Sequence, residues 1–322
     1  MTYLSGKAWL AVRDYQQNLY DELSIDPSNP GKKVQIYGDL VYREGPSVPA
    51  FWHRTILEKP FIAEFKTIRE ASDILRSLQR NWAHYPVACF RRAELIKEKL
   101  PFLNDKPKIF PFTVPSAPMG MWSLLDENTL FASADTTSPF ACGALHFEED
   151  HVNPPSRAYM KLWEALTWMS YLHGSIPGPG DRCIDAGACP GGWTWVLDAL
   201  GSRVTAIDRS ELDPRLMAKP NIKFIKHDAF TLKPSDFGEQ DWVFSDVICY
   251  PPKQLEWVQE WIASGLCRNF ICTIKMQGKA DQETTRAFAS IPGSRILHLS
   301  ANKNELTWIC RYPETVHTQA II

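Results

Sequence analysis

The chain has 322 residues, 44% of them hydrophobic, 12 Trp among them, and a formal net charge of −2. That length suits one large domain or two, with ample apolar side chains for a packed core. The near-neutral balance excludes a globally basic nucleic-acid binder, so any surface that grips phosphates must be local. Eight Cys occur with no C-x-x-C pair and no Cys/His cluster at zinc spacing, which points to reduced thiols and no bound metal. No basic-then-apolar leader opens the sequence, and no apolar run is long enough for a membrane span. A cytoplasmic protein is expected, with a monomer favoured.

Residues 1–150 read as an N-terminal α+β region. Residues 7–12 and 33–42 are predicted strands with a helix over 14–23 between them, and a further strand is predicted over 61–66. A helix over 70–80 carries Ile74, Leu75 and Leu78 on one face. The pattern suggests a single ferredoxin-like unit, a reduced form of an RNA-binding domain. A basic helix over 93–100 is stopped by Pro101. Between Arg76 and Lys108 there are eight basic residues and three acids, with Trp82, His84, Tyr85 and Phe90 among them. Basic side chains interleaved with aromatics can grip phosphates and stack bases, so Arg91 and Arg92 are candidate RNA contacts. A solvated helix face with a few core aromatics would give the same composition. Residues 107–118 are proline-rich, and 120–125 with 129–134 read as a hairpin.

Glu148, Glu149, Asp150 and Pro154-Pro155 mark the expected boundary, and residues 151–322 read as a second domain. Its first helix, over 156–172, has Ser156 as its cap and Leu162, Leu166 and Met169 as its stripe. Strands at 182–186, 204–207, 221–226, 241–245, 270–274, 295–299 and 306–311 alternate with helices at 193–200, 253–266 and 280–289. Trp257 and Trp261 are expected to stack at i, i+4 on the second of these helices. Such alternation implies an α/β fold, a Rossmann-like, mostly parallel seven-stranded sheet with ligands at the carboxyl ends of its strands.

The turn Gly187-Ala-Cys-Pro-Gly-Gly192 follows the first of these strands, and Trp193 opens the helix after it. Asp185 ends that strand, and Asp208 ends the next one 23 residues later. A doubly wound fold places there the carboxylate that grips ribose hydroxyls. The turn is not G-x-G-x-x-G, and Pro190 removes an N–H that a pyrophosphate would want. A phosphate-free nucleoside with a positive centre and an amino-acid tail, such as S-adenosylmethionine, suits it better. A nicotinamide-dependent oxidoreductase is correspondingly disfavoured. Trp193 could cover the ligand or simply begin the helix core.

Lys161, Asp246, Lys275 and Glu305 each lie just outside an element terminus on the ligand side. Two lysines and two acids can neutralise each other in one cluster, where a desolvated lysine could take a proton from a hydroxyl.

These residues carry a resemblance. The segment from Ser156 through Lys161, the Asp185…Gly191-Gly192-Trp193 loop, Ser245-Asp246, Ile274-Lys275 and Asn304-Glu305-Leu306 resemble the FtsJ class of ribose 2′-O-methyltransferases. The similarity spans about residues 130–312 and is strongest to the bacterial 23S rRNA cytidine 2′-O-methyltransferases of RlmM type. It implies a catalytic tetrad of Lys161, Asp246, Lys275 and Glu305. It implies S-adenosylmethionine held by Asp185, Gly187, Ala188, Cys189, Pro190, Gly191, Gly192 and Trp193, with Asp208 on the ribose, Asp228 on the adenine amino group and Asp246 between cofactor and substrate. It implies large-subunit rRNA as partner, with Arg157 beside Arg91 and Arg92 as an RNA contact. An RNA-binding assembly factor on a methyltransferase scaffold, or methylation of a tRNA or mRNA cap, are the alternatives.

Overall fold

The computed structural model describes residues 1–313. It divides into two compact units, Met1–Glu148 with His298–Ser300, and Glu149–Leu297 with the chain from Ala301 on.

The first unit holds two sheets where one ferredoxin-like sheet was expected. Its strands are β1 (Thr2–Tyr3), β2 (Gly6–Ala11), β3 (Val34–Tyr37), β4 (Leu40–Glu44), β5 (His53–Leu57), β6 (Phe61–Glu64), β7 (Trp82–His84), β8 (Gly120–Leu124) and β9 (Thr129–Ser133). One sheet runs β3-β4-β2-β5 and the other β1-β6-β9-β8-β7. The predicted strand over 33–42 is a β3–β4 hairpin, turned at Gly38 with φ +63°. Three α-helices accompany them, α1 (Gln16–Leu23), α2 (Ile68–Leu78) and α3 (Phe90–Lys97). The β8–β9 hairpin appears where it was expected. Its residues are buried on both faces. Trp122, Leu124, Leu130 and Ala132 meet α2 and α3 residues such as Leu75 and Ile96, while Met121 and Phe131 join Leu10 and Leu40 of the other sheet. Two buried faces explain why the hairpin reads as apolar runs instead of an alternation.

The second unit has strands β10 (Arg182–Ala186), β11 (Arg203–Asp208), β12 (Ile222–Lys226), β13 (Trp242–Ser245), β14 (Asn269–Lys275), β15 (Ser294–Leu297) and β16 (Glu305–Arg311). They form one sheet in the order β12-β11-β10-β13-β14-β16-β15, parallel except for β16. This is the expected Rossmann-like methyltransferase sheet. Its helices are α4 (Tyr159–His173), α5 (Gly192–Ala199), α6 (Pro214–Met217), α7 (Pro251–Ser264) and α8 (Gln282–Ser290). The chain moves outward from β10 one way to β12 and from β13 the other way to β15. Right-handed crossovers therefore put α5 and α7 on opposite faces. The reversal leaves a crevice between the carboxyl ends of β10 and β13, where ligands bind in such sheets.

Two local expectations change. Helix α4 starts at Tyr159, after Ala158, with no side-chain cap. Ser156 instead lies against α5, because a Cβ on Gly192 would come 2.5 Å from its Oγ. The close approach of the two helix starts uses the position that would have capped α4. On α7 the buried face is Gln254, Trp257, Val258 and Trp261, and the two indoles meet edge to face at 73° instead of stacking.

Candidate active site

Five strand ends build the site. Asp185 is the penultimate residue of β10, Asp208 closes β11, Asp246 follows β13, Lys275 closes β14 and Glu305 opens the antiparallel β16. Lys275 and Glu305 are cross-strand partners, which antiparallel pairing places side by side. Lys161 reaches the same place from the first turn of α4.

The four side chains form one cluster. Lys161 Nζ donates to both oxygens of Asp246 at 2.9 Å and to Glu305 Oε1 at 3.1 Å. Lys275 Nζ lies 2.9 Å from Asp246 Oδ1 and donates to the Asp246 carbonyl at 2.7 Å. The side chains are only 10–18% exposed. Burial alone would push Asp246 up, but Lys161, Lys275 and a hydrogen bond from Thr273 hold it below the usual carboxylate range. Burial likewise works to lower Lys161, yet Asp246 and Glu305 overcome it and raise the ammonium above its ordinary value. Lys161 and Asp246 are thus a fixed ion pair. Lys275 is tied to Asp246 and keeps 18% of its side chain exposed.

Thr273 is a member of the cluster that sequence reading missed. Its Oγ1 donates to Asp246 Oδ1 at 2.6 Å. The signal was its place two residues before Lys275, on the same face of the strand.

The turn after β10 is closed by its own hydrogen bonds. Gly187 and Ala188 N–H groups both donate to the Ile207 carbonyl, and Cys189 N–H donates to Asp208 Oδ2 at 3.0 Å. Pro190 has no N–H. These four residues offer no backbone donor to a phosphate. Gly187 has φ +77°, and a Cβ there would come within 2.9 Å of the Val247 backbone. Only glycine lets the β10 turn and the β13 loop meet so closely. Gly191 has φ +117°, and a Cβ would meet Leu216 at 2.3 Å.

Asp185 is fully buried. Its Oδ2 accepts from Thr194 Oγ1 at 2.6 Å, while its Oδ1 has no partner. Burial pushes its pKa up to about 7 against the Thr194 hydrogen bond, with the Asp246 and Asp208 charges adding to the rise. An orphaned carboxylate oxygen at a strand end is what a positive ligand group would satisfy. Both Asp208 oxygens accept backbone N–H groups, from Cys189 and Ser210, and each retains a lone pair for a hydroxyl donor. Asp228 pairs with Arg209 and accepts the Phe230 N–H, and the Arg209 hydrogen bond holds its carboxyl low. Arg209 was not anticipated. Asp208, Asp228, Phe230 and Lys253 line a cleft of about 170 Å³ along these strand ends. The residues present therefore fit a nucleoside with a cationic tail.

Other expectations do not meet this cleft. Trp193 is 2% exposed, and its indole donates to the Ala158 carbonyl and packs edge-on against Phe244, so its side chain belongs to the helix core. Arg157 is paired with Glu149 at 2.7 Å. In the first unit, Trp82 is a core residue whose indole donates to Leu75 and Gln79 carbonyls, and buried His84 packs on Trp122. Neither ring is available to a base. Arg92 donates to the Lys66 carbonyl and Asn128 and sits 5.3 Å over Phe65, whereas Arg91 is exposed.

Comparisons with known proteins show what the chain is similar to. Residues 154–291 match the family model of FtsJ-like methyltransferases. The match takes in less than half of the chain. Lys161, Asp246 and Lys275 fall within it, and Glu305 follows it. The chain is 40% identical to ribosomal RNA large subunit methyltransferase M of Azoarcus sp. (strain BH72) over 131 residues, which cover 39% of this chain and 35% of that protein. It is 35% identical to the protein of the same name from Thauera aminoaromatica over 167 residues, covering 48% of this chain and 45% of the relative. With that of Xanthomonas oryzae pv. oryzae (strain PXO99A) it shares 30% identity over 222 residues, covering 67% and 59%. The chain thus spans from about a third to somewhat over half the length of these relatives. No helix among the described residues is long and apolar enough to cross a membrane.

Proposed function

We propose that this protein is an S-adenosylmethionine-dependent ribose 2′-O-methyltransferase acting on RNA, with large-subunit rRNA as its substrate. The single observation that carries this reading is the assembly of Lys161, Asp246, Lys275 and Glu305 into one largely buried cluster at the strand ends that also line the cleft of Asp208 and Asp228. The FtsJ-like domain and the names of its relatives supply the choice of RNA.

S-adenosylmethionine, when bound, supplies an electrophilic methyl group. Asp185 Oδ1 receives the positive amino-acid end, Asp208 the ribose hydroxyls and Asp228 the adenine amino group. Lys275, in its neutral amine form, orients the ribose 2′-hydroxyl and accepts its proton on the Nζ lone pair, becoming the ammonium. Asp246 fixes that amine through its carbonyl and Oδ1. Lys161, locked between Asp246 and Glu305, places a permanent positive charge where negative charge develops on the 2′-oxygen. Glu305 holds Lys161 in place. Much of the acceleration comes from holding donor and acceptor in near-attack geometry. Residues 1–148 present the RNA, with Arg91 as an exposed phosphate contact.

The test is transfer of a labelled methyl group to unmodified 23S rRNA, with alkali resistance of the modified linkage as the mark of a 2′-O-methyl. Cofactor binding without transfer to any RNA would refute the reading.

A further inference from the structure

The loop between β13 and α7 runs Asp246-Val-Ile-Cys-Tyr250 and starts at the cluster's central carboxylate. Its side chains alternate. Asp246 turns into the cluster. Val247 packs against Gly187, where any Cβ would collide with it. Cys249 Sγ meets Gln254 Oε1 of α7 at 3.3 Å. Ile248 and Tyr250, between and after them, are 78% and 67% exposed.

The loop is fixed despite carrying two bare apolar side chains. Tyr250 has φ −69° and ψ 138°, the extended conformation that a following proline imposes. Pro251 and Pro252 then open α7, and the Tyr250 carbonyl accepts the N–H groups of Lys253 and Gln254. Single exposed apolar residues are ordinary. Here two stand on a preorganised loop, four residues or fewer from the carboxylate that holds Lys275. Ile248 borders the nucleoside cleft that Asp208 and Asp228 line, while Tyr250 is not among the residues of that cleft. Lys253, three residues on, adds a positive charge.

We infer that Tyr250 is a base-stacking platform for the RNA, holding the nucleobase at or beside the modified ribose, with Ile248 as the apolar divider between that base and the cofactor cleft. This rests on the proposed RNA methyl transfer and adds a substrate subsite to it. A nucleobase is the occupant the loop suits, because an exposed phenol ring offers a flat face to any base without reading its edge. A ribose can be held against Lys275 only if its own base is parked nearby, and unpaired bases are commonly parked on aromatic rings.

The experiment compares wild type, Tyr250→Ala and Tyr250→Phe. Three quantities are read: KM and kcat for methylation of 23S rRNA, Kd for a mixed-sequence single-stranded RNA by anisotropy, and Kd for S-adenosylmethionine. Tyr250→Ala should weaken RNA affinity about 5- to 150-fold, the usual range for one lost base stack, and act chiefly on KM. Tyr250→Phe should restore it, and cofactor affinity should stay as in wild type. Unchanged RNA affinity in Tyr250→Ala overturns the inference. So does an equal loss of cofactor affinity, which would make the ring a cofactor wall, or a loss that Phe fails to restore. If wild type binds RNA in a Tyr250-dependent way yet transfers no methyl group, the methyltransferase reading fails, and Tyr250 stands as an RNA-stacking residue without a place beside a modified ribose. If Tyr250→Ala methylates as wild type does, the platform fails and the methyltransferase reading stands.

Discussion

Two regions of this chain concentrate charge, and they use it in opposite ways. At the strand ends of the second unit, two lysines and two acids are largely buried and matched atom to atom within about 3 Å. Between Arg76 and Lys108 in the first unit, a larger excess of basic residues is spread over exposed positions, and its aromatic neighbours Trp82 and His84 are folded into the core. Burial of charge is unfavourable unless it is paired, so a buried, paired cluster at a ligand crevice signals chemistry. Surface charge carries no such constraint, and its composition alone does not say what it touches.

The largest expected effect breaks the paired cluster. Lys161→Met should leave Asp246 and Glu305 facing each other without their common cation. Removing one partner of a buried ion pair costs roughly 3–5 kcal/mol. The expected outcome is a large drop in unfolding free energy by denaturant titration, together with loss of methyl transfer. A variant as stable as wild type would mean the cluster is solvated in solution.

Next is Asp185. Its pKa is raised to about 7, so the folded state holds a proton that the unfolded chain releases near pH 4. Stability from this group is therefore present at low pH and lost as pH rises from about 4 to 7. Asp246 has the opposite sign: its contribution is present above the ordinary carboxylate range and lost only as pH falls below about 4. Asp185→Asn should remove the stability slope between pH 4 and 7 and leave the acid limb. Cofactor affinity in wild type should rise with pH through 7, since the positive end of the ligand favours ionised Asp185, and this rise should vanish in Asp185→Asn. Identical pH profiles in the two proteins would contradict the assignment.

Asp208→Ala should weaken S-adenosylmethionine binding by about tenfold, from the loss of charge-assisted hydrogen bonds to hydroxyls, while leaving RNA affinity unchanged. Isothermal titration with each ligand separates the two. Equal loss of both would make Asp208 a turn support only, through its bonds from Cys189 and Ser210.

The smallest effects sharpen the contrast from the other side. Arg91→Ala should lower the slope of log affinity against log salt by about 0.7–0.9, one phosphate contact, without changing stability. Arg92→Ala should instead cost about 1 kcal/mol of stability, because its guanidinium is engaged with Phe65, Lys66 and Asn128. An unchanged salt slope in Arg91→Ala would return the stretch to a solvated surface.

The same contrast explains what was legible in the sequence. The seven strands and the four cluster residues could be read because Asp246 and Lys275 follow apolar runs, Glu305 opens one and Lys161 lies in the first turn of a helix, and the sheet gathers those strand ends at one edge. Asp185, Asp208 and Asp228 followed from the same logic. Trp193 was ambiguous because a residue after a glycine turn can face either ligand or core, and only packing against Phe244 decided it. Thr273 and Arg209 were missed because each acts through a carboxylate on another strand or loop. Ser156 was misjudged as a cap since its neighbour in space, Gly192, is 36 residues away in the chain. In the first unit the two-sheet arrangement was hidden because β8 and β9 are buried on both faces, which removes the alternation that reveals a one-sided sheet.

The most direct test of the central claim uses S-adenosylmethionine labelled on its methyl group, unmodified 23S rRNA, and wild-type or Lys275→Ala protein. The account predicts label in RNA with wild type, a rate lower by about 10²–10⁴ with Lys275→Ala, and equal cofactor affinity in both. Equal rates in the two proteins would contradict the role given to Lys275 and, with it, the reading of the buried cluster as the catalytic centre.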